Sequence, residues 1–219
     1  LRLEIQAKPD KERKQNMNIK TVIFDIGGVL TDTDWDALLL EIAGTPEAVE
    51  KLADVMFHSG IWLKMDGGLL EEDEVLEAFL KEGQGIEEQV MAFWEQSGGR
   101  LFQCDFAKPL IRDLKARGYQ VLYLSNWSSR YRKVCAKAMD FLELMDGGVF
   151  SYQEKVIKPN PEIYKRIIKK YDLIPEECVF LDDSLDNVNA ARALGIHGVH
   201  IVDHNVKTVD DIFMKNNLQ

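Results

Sequence analysis

Three short apolar runs, each ending in polar residues, constrain the fold of this chain more than any other feature of its sequence. The runs are TVIF, VLYL and VFL, and the residues that follow or end them are Asp25, then Ser125 with Asn126, then Asp182 with Asp183. Runs that are apolar throughout are typical of parallel strands buried on both faces of a sheet. Because ligands of such sheets bind outside the carboxyl ends of the strands, we expect these side chains to lie at one site.

Helical segments separate the apolar runs, and this alternation predicts an α/β fold with a Rossmann-like, doubly wound parallel sheet. The segment KPLIRDLKARG has a proline near its start and a glycine just past its end, which is the usual asymmetry of a helix. The segment NPEIYKRIIKKY begins with a capping asparagine followed by a proline. The segment DNVNAARALG follows the third run, and GVHIV is interpreted as a last strand.

The segment between the first two strands is much longer than a crossover requires, since about a dozen residues suffice. Residues 33–104 show helical periodicity and no clear strand. We therefore predict a helical cap at 33–104, inserted over the site of an α/β core that is formed by residues 17–32 and 105–219. The candidate cap helices are 35–43, 46–58, 72–81 and 87–96.

The composition restricts the partners and the location of the chain. Residues 1–16 are mostly polar and charged, and we interpret them as a loose amino-terminal arm. The net charge of −10 disfavours nucleic acid and anionic membranes, because both would repel the chain. Cys104, Cys135 and Cys178 form no CxxC pair, which favours free thiols in a reducing cytosol over zinc or disulfides. We expect a cytoplasmic protein that binds a small molecule, and the sequence carries no signal for its oligomeric state.

The segments FDIGGVLTD, LSNWS, KPNPEIY and FLDDSLDNVNAARALG follow one another along the chain. Together they resemble the four motifs of the haloacid dehalogenase-like hydrolase superfamily, over about residues 20–201. The segment FHSGIWLKMDGGLLEEDEV is similar to the cap of glucose-1-phosphate phosphatases and of the amino-terminal phosphatase domain of epoxide hydrolases. The resemblance implies a Mg²⁺-dependent phosphatase acting on a small phosphate monoester, and its finer part implies a sugar phosphate.

The resemblance also implies roles for individual residues. It makes Asp25 the nucleophile, whose aspartyl phosphate is hydrolysed by water, and it assigns Mg²⁺ to Asp25, Asp183 and the main-chain carbonyl of Gly27. A cation is needed there because a carboxylate and a phosphate dianion repel each other. Lys158 offsets the negative charge that develops during the reaction. Phosphate oxygens are assigned to Ser125, Asn126 and Lys158, and support of the metal site to Asp182 and Asn187.

Each of these residues also has a purely structural interpretation. Asp25 is able to close a strand, Asp183 to interact with the dipole of a helix N-terminus, and Lys158 to be a solvated surface lysine. Ser125 and Asn126 are residue types common in loops and caps. The functional interpretation is favoured because all of them occur together in the four motifs.

Gly27 departs from the pattern of many relatives, which carry a second aspartate two residues after the nucleophile. That aspartate protonates the leaving alcohol and later activates water, and losing such help typically costs ~10²–10⁴-fold in rate. Three interpretations stay open: a phosphatase with a substitute acid or a good leaving group, a Mg²⁺-independent 2-haloacid dehalogenase, and a non-catalytic binding or regulatory protein. The joint presence of Asp25, Ser125, Lys158 and Asp183 favours the phosphatase.

The remaining candidates concern substrate specificity. The cap turn that contains Trp62, Lys64 and Asp66 is expected to face the site, where Trp62 stacks on a sugar or packs between helices and Lys64 binds an anion or hydroxyl. His58 is the only histidine of the cap and a candidate for the missing acid, although a lone histidine there is more often structural. Trp127 follows Asn126 in the chain and is a candidate to line the pocket.

Overall fold

A five-stranded parallel sheet lies at the centre of the computed structural model, which describes residues 18–216 and residue 218. The predicted amino-terminal arm lies outside the described residues. The strands of the described chain are β1 (Thr21–Phe24), β2 (Thr31–Thr33), β3 (Leu101–Gln103), β4 (Gln120–Ser125), β5 (Gly147–Phe150), β6 (Cys178–Asp182) and β7 (His197–His200). Their order in the main sheet is β5-β4-β1-β6-β7, and all neighbours are parallel.

This strand order confirms the doubly wound fold predicted from the sequence. The chain starts in the middle of the sheet with β1, extends to one side with β4 and β5, and returns to the other side with β6 and β7. The direction of winding therefore changes beside β1, which is the place where such sheets bind ligands. Asp25 follows the last residue of β1 and stands at this switch point.

The helices of the described chain cover both faces of the sheet and build the segment between β2 and β3. They are α1 (Trp35–Ala43), α2 (Pro46–Ala53), α3 (Ile61–Asp66), α4 (Glu72–Glu82), α5 (Glu87–Gln96), α6 (Ala107–Ala116), α7 (Ser129–Val134), α8 (Ser151–Glu154), α9 (Pro161–Lys170), α10 (Leu185–Arg192) and α11 (Val209–Phe213). A π-helical turn spans Asp54–His58, and 3₁₀ segments span Ser97–Arg100, Ala136–Leu144 and Pro175–Glu177.

Strand β1 contributes to two apolar clusters because its side chains alternate between the faces of the sheet. Val22 and Phe24 pack in the cluster that also contains the buried residues of α6, whereas Ile23 packs with those of α9. All four residues of β1 are buried. The continuous apolar runs in the sequence are thus explained by a sheet that is covered on both sides.

The predicted cap helices agree with the structure, with two differences. The turn expected around Trp62 is a helix, α3, whose six residues are too few to reveal a helical period in the sequence. The prediction that 33–104 contains no clear strand is wrong at β3, which pairs antiparallel with β2. Strands of three residues carry no readable alternation, so their pairing across this long segment was not apparent. The two strands of the resulting ribbon lie at the start and at the end of the predicted cap segment in sequence. The domain boundaries themselves stay a prediction.

All three cysteines carry free thiols. Burial raises the pKa of each thiol to about 11, so none is poised to act as a thiolate nucleophile. The helices of the described residues include none that combines the length and the apolar character required to cross a bilayer.

Candidate active site

The carboxyl ends of β1, β4 and β6 bring the predicted site residues together. The Oδ1 atom of Asp25 accepts hydrogen bonds from the Ser125 hydroxyl at 2.6 Å and from the main-chain N–H of Ile26 at 2.7 Å. Its Oδ2 atom lies 2.9 Å from the Nζ atom of Lys158. Residues from three distant parts of the sequence thus fix the orientation of the Asp25 carboxylate.

Lys158 is completely buried between two carboxylates. Its Nζ atom donates to Asp182 at 2.6 Å in addition to its contact with Asp25. Burial alone lowers the pKa of Lys158, but the two carboxylates outweigh burial and raise the pKa above its ordinary value. The side chain is therefore a fixed cation, and the interpretation of Lys158 as a solvated surface lysine does not hold.

Asn126 holds the loop that carries Lys158 in place. Its side-chain Nδ2 donates to the main-chain carbonyl of Lys158 at 3.0 Å, and its Oδ1 accepts from the main-chain N–H of Lys158 at 2.8 Å. Both polar atoms of the side chain are thus engaged within the protein. Asn126 lines the cavity described below, but its side chain positions Lys158, so that phosphate binding remains a prediction for its main chain.

Asp182 and Asp183 are adjacent in sequence but have different environments. Asp182 is fully buried and accepts hydrogen bonds from Lys158, from the Asn187 amide at 3.0 Å and from the main-chain N–H of Ser184 at 2.8 Å. Asp183 is exposed, and among the described residues its carboxylate has no ion pair and no hydrogen bond to another side chain. Its main-chain carbonyl lies 2.9 Å from the Nε2 atom of His200. The Asp182 carboxylate therefore positions Lys158, whereas the oxygens of the Asp183 carboxylate have no side-chain partner among the described residues.

The three aspartates provide a donor set that fits a hard divalent cation. Carboxylate oxygens of Asp25, Asp182 and Asp183 all lie within 4.8 Å of one another. Burial raises the pKa of Asp25 to about 7, against the opposing effect of Lys158. Partial desolvation of the Asp183 carboxyl group, followed by the charge of Asp182, raises the pKa of Asp183. A neighbouring cation stabilises the ionised form of such clustered carboxylates. Ligand sets made only of oxygen atoms are the kind that Mg²⁺ prefers.

The glycine pair after Asp25 has two separate explanations. Gly28 has a φ of +67°, and a Cβ atom at this position would lie 2.4 Å from the Oδ2 atom of Asp183, so only glycine allows this approach. A Cβ atom at Gly27 would meet only the Trp127 ring, at an ordinary 3.6 Å. The geometry of the aspartate cluster therefore requires glycine at position 28 but not at position 27.

A cavity of about 350 Å³ opens over the aspartate cluster. Trp127 lines it, and so does Trp62, whose ring centroid lies 5.1 Å from that of Trp35 and 5.0 Å from that of Tyr131. Trp62 thus both packs among aromatic side chains and forms part of the wall. The lining residues are Gly27, Gly28, Asp32, Thr33, Trp35, Trp62, Asp66, Leu101, Asn126, Trp127, Tyr131 and Asp183.

The structure does not bring two of the predicted specificity residues to this cavity. His58 has 71% of its side chain exposed and pairs with Asp54 at 2.8 Å, because the π-helical turn buries its apolar residues and leaves the histidine outside. Lys64 is exposed and does not line the cavity. It follows Trp62 by two positions on α3, which corresponds to roughly 200° around a helix.

Asp66 lies in the cap turn that is expected to face the site, although the sequence assigns it no role there. It is four residues after Trp62 and therefore on the same face of α3, and it lines the cavity although it is only 9% exposed. Burial raises its pKa to about 7, and interaction with the Trp62 side chain lowers it by less. Because α3 is too short to be recognised as a helix from its sequence, the sequence does not distinguish which side chains of this turn face the cavity. His200 was missed for a similar reason, since its contact with Asp183 depends on the pairing of β6 with β7.

A sequence model of the haloacid dehalogenase-like hydrolase family matches residues 19–195. The chain belongs to this family. It is 29% identical to the sesquiterpene phosphatase astK of Aspergillus oryzae, over 84% of this chain and 90% of the relative. It is 30% identical to the D-ribitol-5-phosphate phosphatase of Bacteroides thetaiotaomicron, over 81% of this chain and 89% of the relative.

Solved structures of family members have the same fold. A haloacid dehalogenase family enzyme from Bacteroides thetaiotaomicron, in complex with magnesium and inorganic phosphate, has a TM-score of 0.69 and 26% identity, covering 89% of this chain and 99% of that one. The family membership and the enzyme class predicted from the sequence, a phosphoric monoester hydrolase, are confirmed by these relatives.

Proposed function

We propose that this haloacid dehalogenase-like enzyme hydrolyses a small phosphate monoester with Mg²⁺, through an aspartyl phosphate formed on Asp25. The observation that carries the proposal is the clustering of the Asp25, Asp182 and Asp183 oxygens within 4.8 Å, beside the buried cation of Lys158. A nucleophile, a set of metal ligands and a positive charge for phosphate are thus provided at one edge of the sheet.

In this mechanism Asp25 attacks phosphorus with the carboxylate that Ser125 and Lys158 orient. The bond from phosphorus to the leaving oxygen breaks as the bond to Asp25 forms, and water later hydrolyses the aspartyl phosphate. Lys158 stabilises the negative charge on the phosphoryl oxygens, since it is already fixed and desolvated before the reaction. Asp182 holds this lysine, Asn187 holds the Asp182 carboxylate, and neither needs to contact the substrate.

Asp25, Asp183 and the main-chain carbonyl of Gly27 are the proposed ligands of Mg²⁺. When bound, the ion supplies charge neutralisation between the carboxylates and the phosphate and polarises the phosphoryl oxygens. Gly28 and His200 support this site, because the first leaves room for the Asp183 carboxylate and the second contacts the Asp183 main chain.

The residues that line the cavity indicate the kind of substrate. Trp35, Trp62, Trp127 and Tyr131 line it, and no lysine or arginine is among the described lining residues. A single phosphate is therefore favoured over a substrate with a second anionic group. Aromatic faces stack on the apolar face of a sugar ring, and the ribitol-5-phosphate phosphatase among the relatives is consistent with the sugar phosphate expected from the sequence. The cytoplasmic location stays a prediction.

The experiment is a screen of the purified protein against phosphorylated metabolites with Mg²⁺ and with a chelator. The panel includes sugar phosphates and phosphates of apolar alcohols, since the names of the relatives include a phosphatase for each kind. We expect turnover that requires the metal. Activity on 2-haloacids that survives the chelator would indicate a dehalogenase, and a folded protein without turnover of any compound would indicate a binding protein.

A further inference from the structure

The reaction proposed above leaves one requirement without an assigned residue. The alkoxide that departs from phosphorus must gain a proton, and Gly27 stands where many family members have an aspartate for this purpose. The carboxylates that line the cavity are Asp32, Asp66 and Asp183. Asp183 is a proposed metal ligand, and Asp32 has half of its side chain exposed and faces His204 at 3.4 Å. Of these three carboxylates, that of Asp66 is the buried one.

The position of Asp66 is fixed by hydrogen bonds that connect the cap to the core. The Ser151 hydroxyl donates to the main-chain carbonyl of Asp66 at 2.5 Å and accepts from the main-chain N–H of Trp127 at 2.9 Å. Ser151 is fully buried. Asp66 is therefore connected through Ser151 to the loop that follows Ser125 at the end of β4, the loop that also contains Asn126.

The surroundings of Asp66 favour a carboxyl group that carries a proton. Among the described residues its side chain forms no ion pair, and the charged groups that affect it are Asp25, which raises its pKa, and Lys158, which lowers it. Trp62 and Tyr131 are the polar aromatic groups near it. Burial is the largest influence and raises the pKa of Asp66 to about 7, which is suitable for a group that alternates between acid and base near neutral pH.

We propose that Asp66, supplied by the cap, is the catalytic acid and base that the core lacks at Gly27. This inference rests on the proposed phosphatase function and adds a catalytic residue to it. Asp66 and Gly27 line the same cavity, so the carboxyl group of Asp66 is available to the leaving oxygen from the cap side.

The proton balance has two halves. In the first, Asp25 forms its bond to phosphorus, the bond to the leaving oxygen breaks, and that oxygen takes the proton of the Asp66 carboxyl to give the free alcohol. In the second, the Asp66 carboxylate takes a proton from water as the water oxygen attacks phosphorus. The bond to Asp25 breaks, hydrogen phosphate leaves, and Asp66 is protonated again.

The test compares two substrates that differ in their need for an acid. The para-nitrophenolate group leaves without a proton, whereas the alkoxide of benzyl phosphate needs one. We expect Asp66→Asn to lower kcat/KM for benzyl phosphate by ~10²–10³-fold and that for para-nitrophenyl phosphate by less than about tenfold. Asp54→Asn removes an exposed cap carboxylate outside the cavity and is the matched control, expected to change neither value.

Each outcome decides the proposal. A loss that is equal for the two substrates would mean that Asp66 is only structural, and no loss on either would mean that another group supplies the proton; both results overturn it. A circular dichroism spectrum and retained binding of inorganic phosphate establish that the variant is folded. A wild-type protein that hydrolyses neither substrate with Mg²⁺ would instead overturn the proposed function, on which this inference rests.

Discussion

The core side and the cap side of the cavity are built on different principles. On the core side, Asp25, Lys158 and Asp182 form a chain of buried charges in which each group is held by its neighbours. On the cap side, Trp35 and Trp62 line the cavity together with one buried carboxylate, Asp66, that has no ion-pair partner among the described residues. The comparison indicates different roles for the two sides. The core provides phosphoryl transfer, and the cap provides the proton and selects the organic group of the substrate.

The largest effect should come from the core side. Replacing Asp25 by Asn removes the nucleophile while keeping its shape, and we expect kcat to fall by more than about 10⁴-fold on any phosphate ester. Steady-state assays with an aryl phosphate measure this, and a thermal melt verifies the fold. Substantial activity in Asp25→Asn would mean that the core side does not transfer the phosphoryl group through this residue.

The second prediction concerns the two glycines. A methyl group at Gly28 would collide with the Asp183 carboxylate and displace it, so Gly28→Ala should weaken the apparent Mg²⁺ affinity by about 10–100-fold, as for other changes that disturb a ligand. Gly27→Ala adds the same methyl group in ordinary contact with Trp127 and should have a much smaller effect. Magnesium titrations of activity measure both variants, and equal effects would contradict the proposed metal site.

The third prediction moves the acid from the cap to the core. Space for a Cβ atom exists at Gly27, so adding Gly27→Asp to Asp66→Asn should restore about tenfold of the kcat/KM lost on benzyl phosphate, within the range of general acid catalysis. In the wild-type background the same change should gain little, because Asp66 already supplies the proton. A large gain in the wild type would show that the cap side contributes no acid.

The fourth prediction is a dependence of stability on pH. The pKa of Asp66 is about 7 in the folded protein and near its ordinary value of 3.8 when unfolded, so the folded state binds the proton more tightly between these values. The stability of the wild type relative to Asp66→Asn should therefore fall as the pH rises from about 4 to about 7 and stay level above. Thermal melts of the two metal-free proteins measure this change, since each kcal/mol of stability shifts Tm by roughly 2–4 °C in a protein of this size. A constant difference in Tm across this pH range would contradict a buried, titrating Asp66.

The same difference between the two sides explains how far the sequence could predict the site. Asp25, Ser125 and Asp183 were identifiable because they follow or end apolar runs, and parallel strands bring their carboxyl ends together whatever the intervening chain does. The turn that contains Trp62 and Asp66 is expected at the site, but which of its side chains face the cavity depends on α3, a helix too short to be recognised from periodicity. Lys64 and His58 have chemically suitable side chains, but the helical geometry directs them to solvent.

The most direct test of the account is to trap the phosphoryl group on the protein. Asp66→Asn should transfer the phosphoryl group of para-nitrophenyl phosphate normally but hydrolyse the aspartyl phosphate slowly, because no base remains to activate water. Acid quenching after mixing with Mg²⁺ and substrate, followed by peptide mass spectrometry, should find close to one phosphoryl group per chain, attached to Asp25. Release of para-nitrophenolate over many turnovers with no phosphoryl group on Asp25, or with one on another residue, would contradict the account.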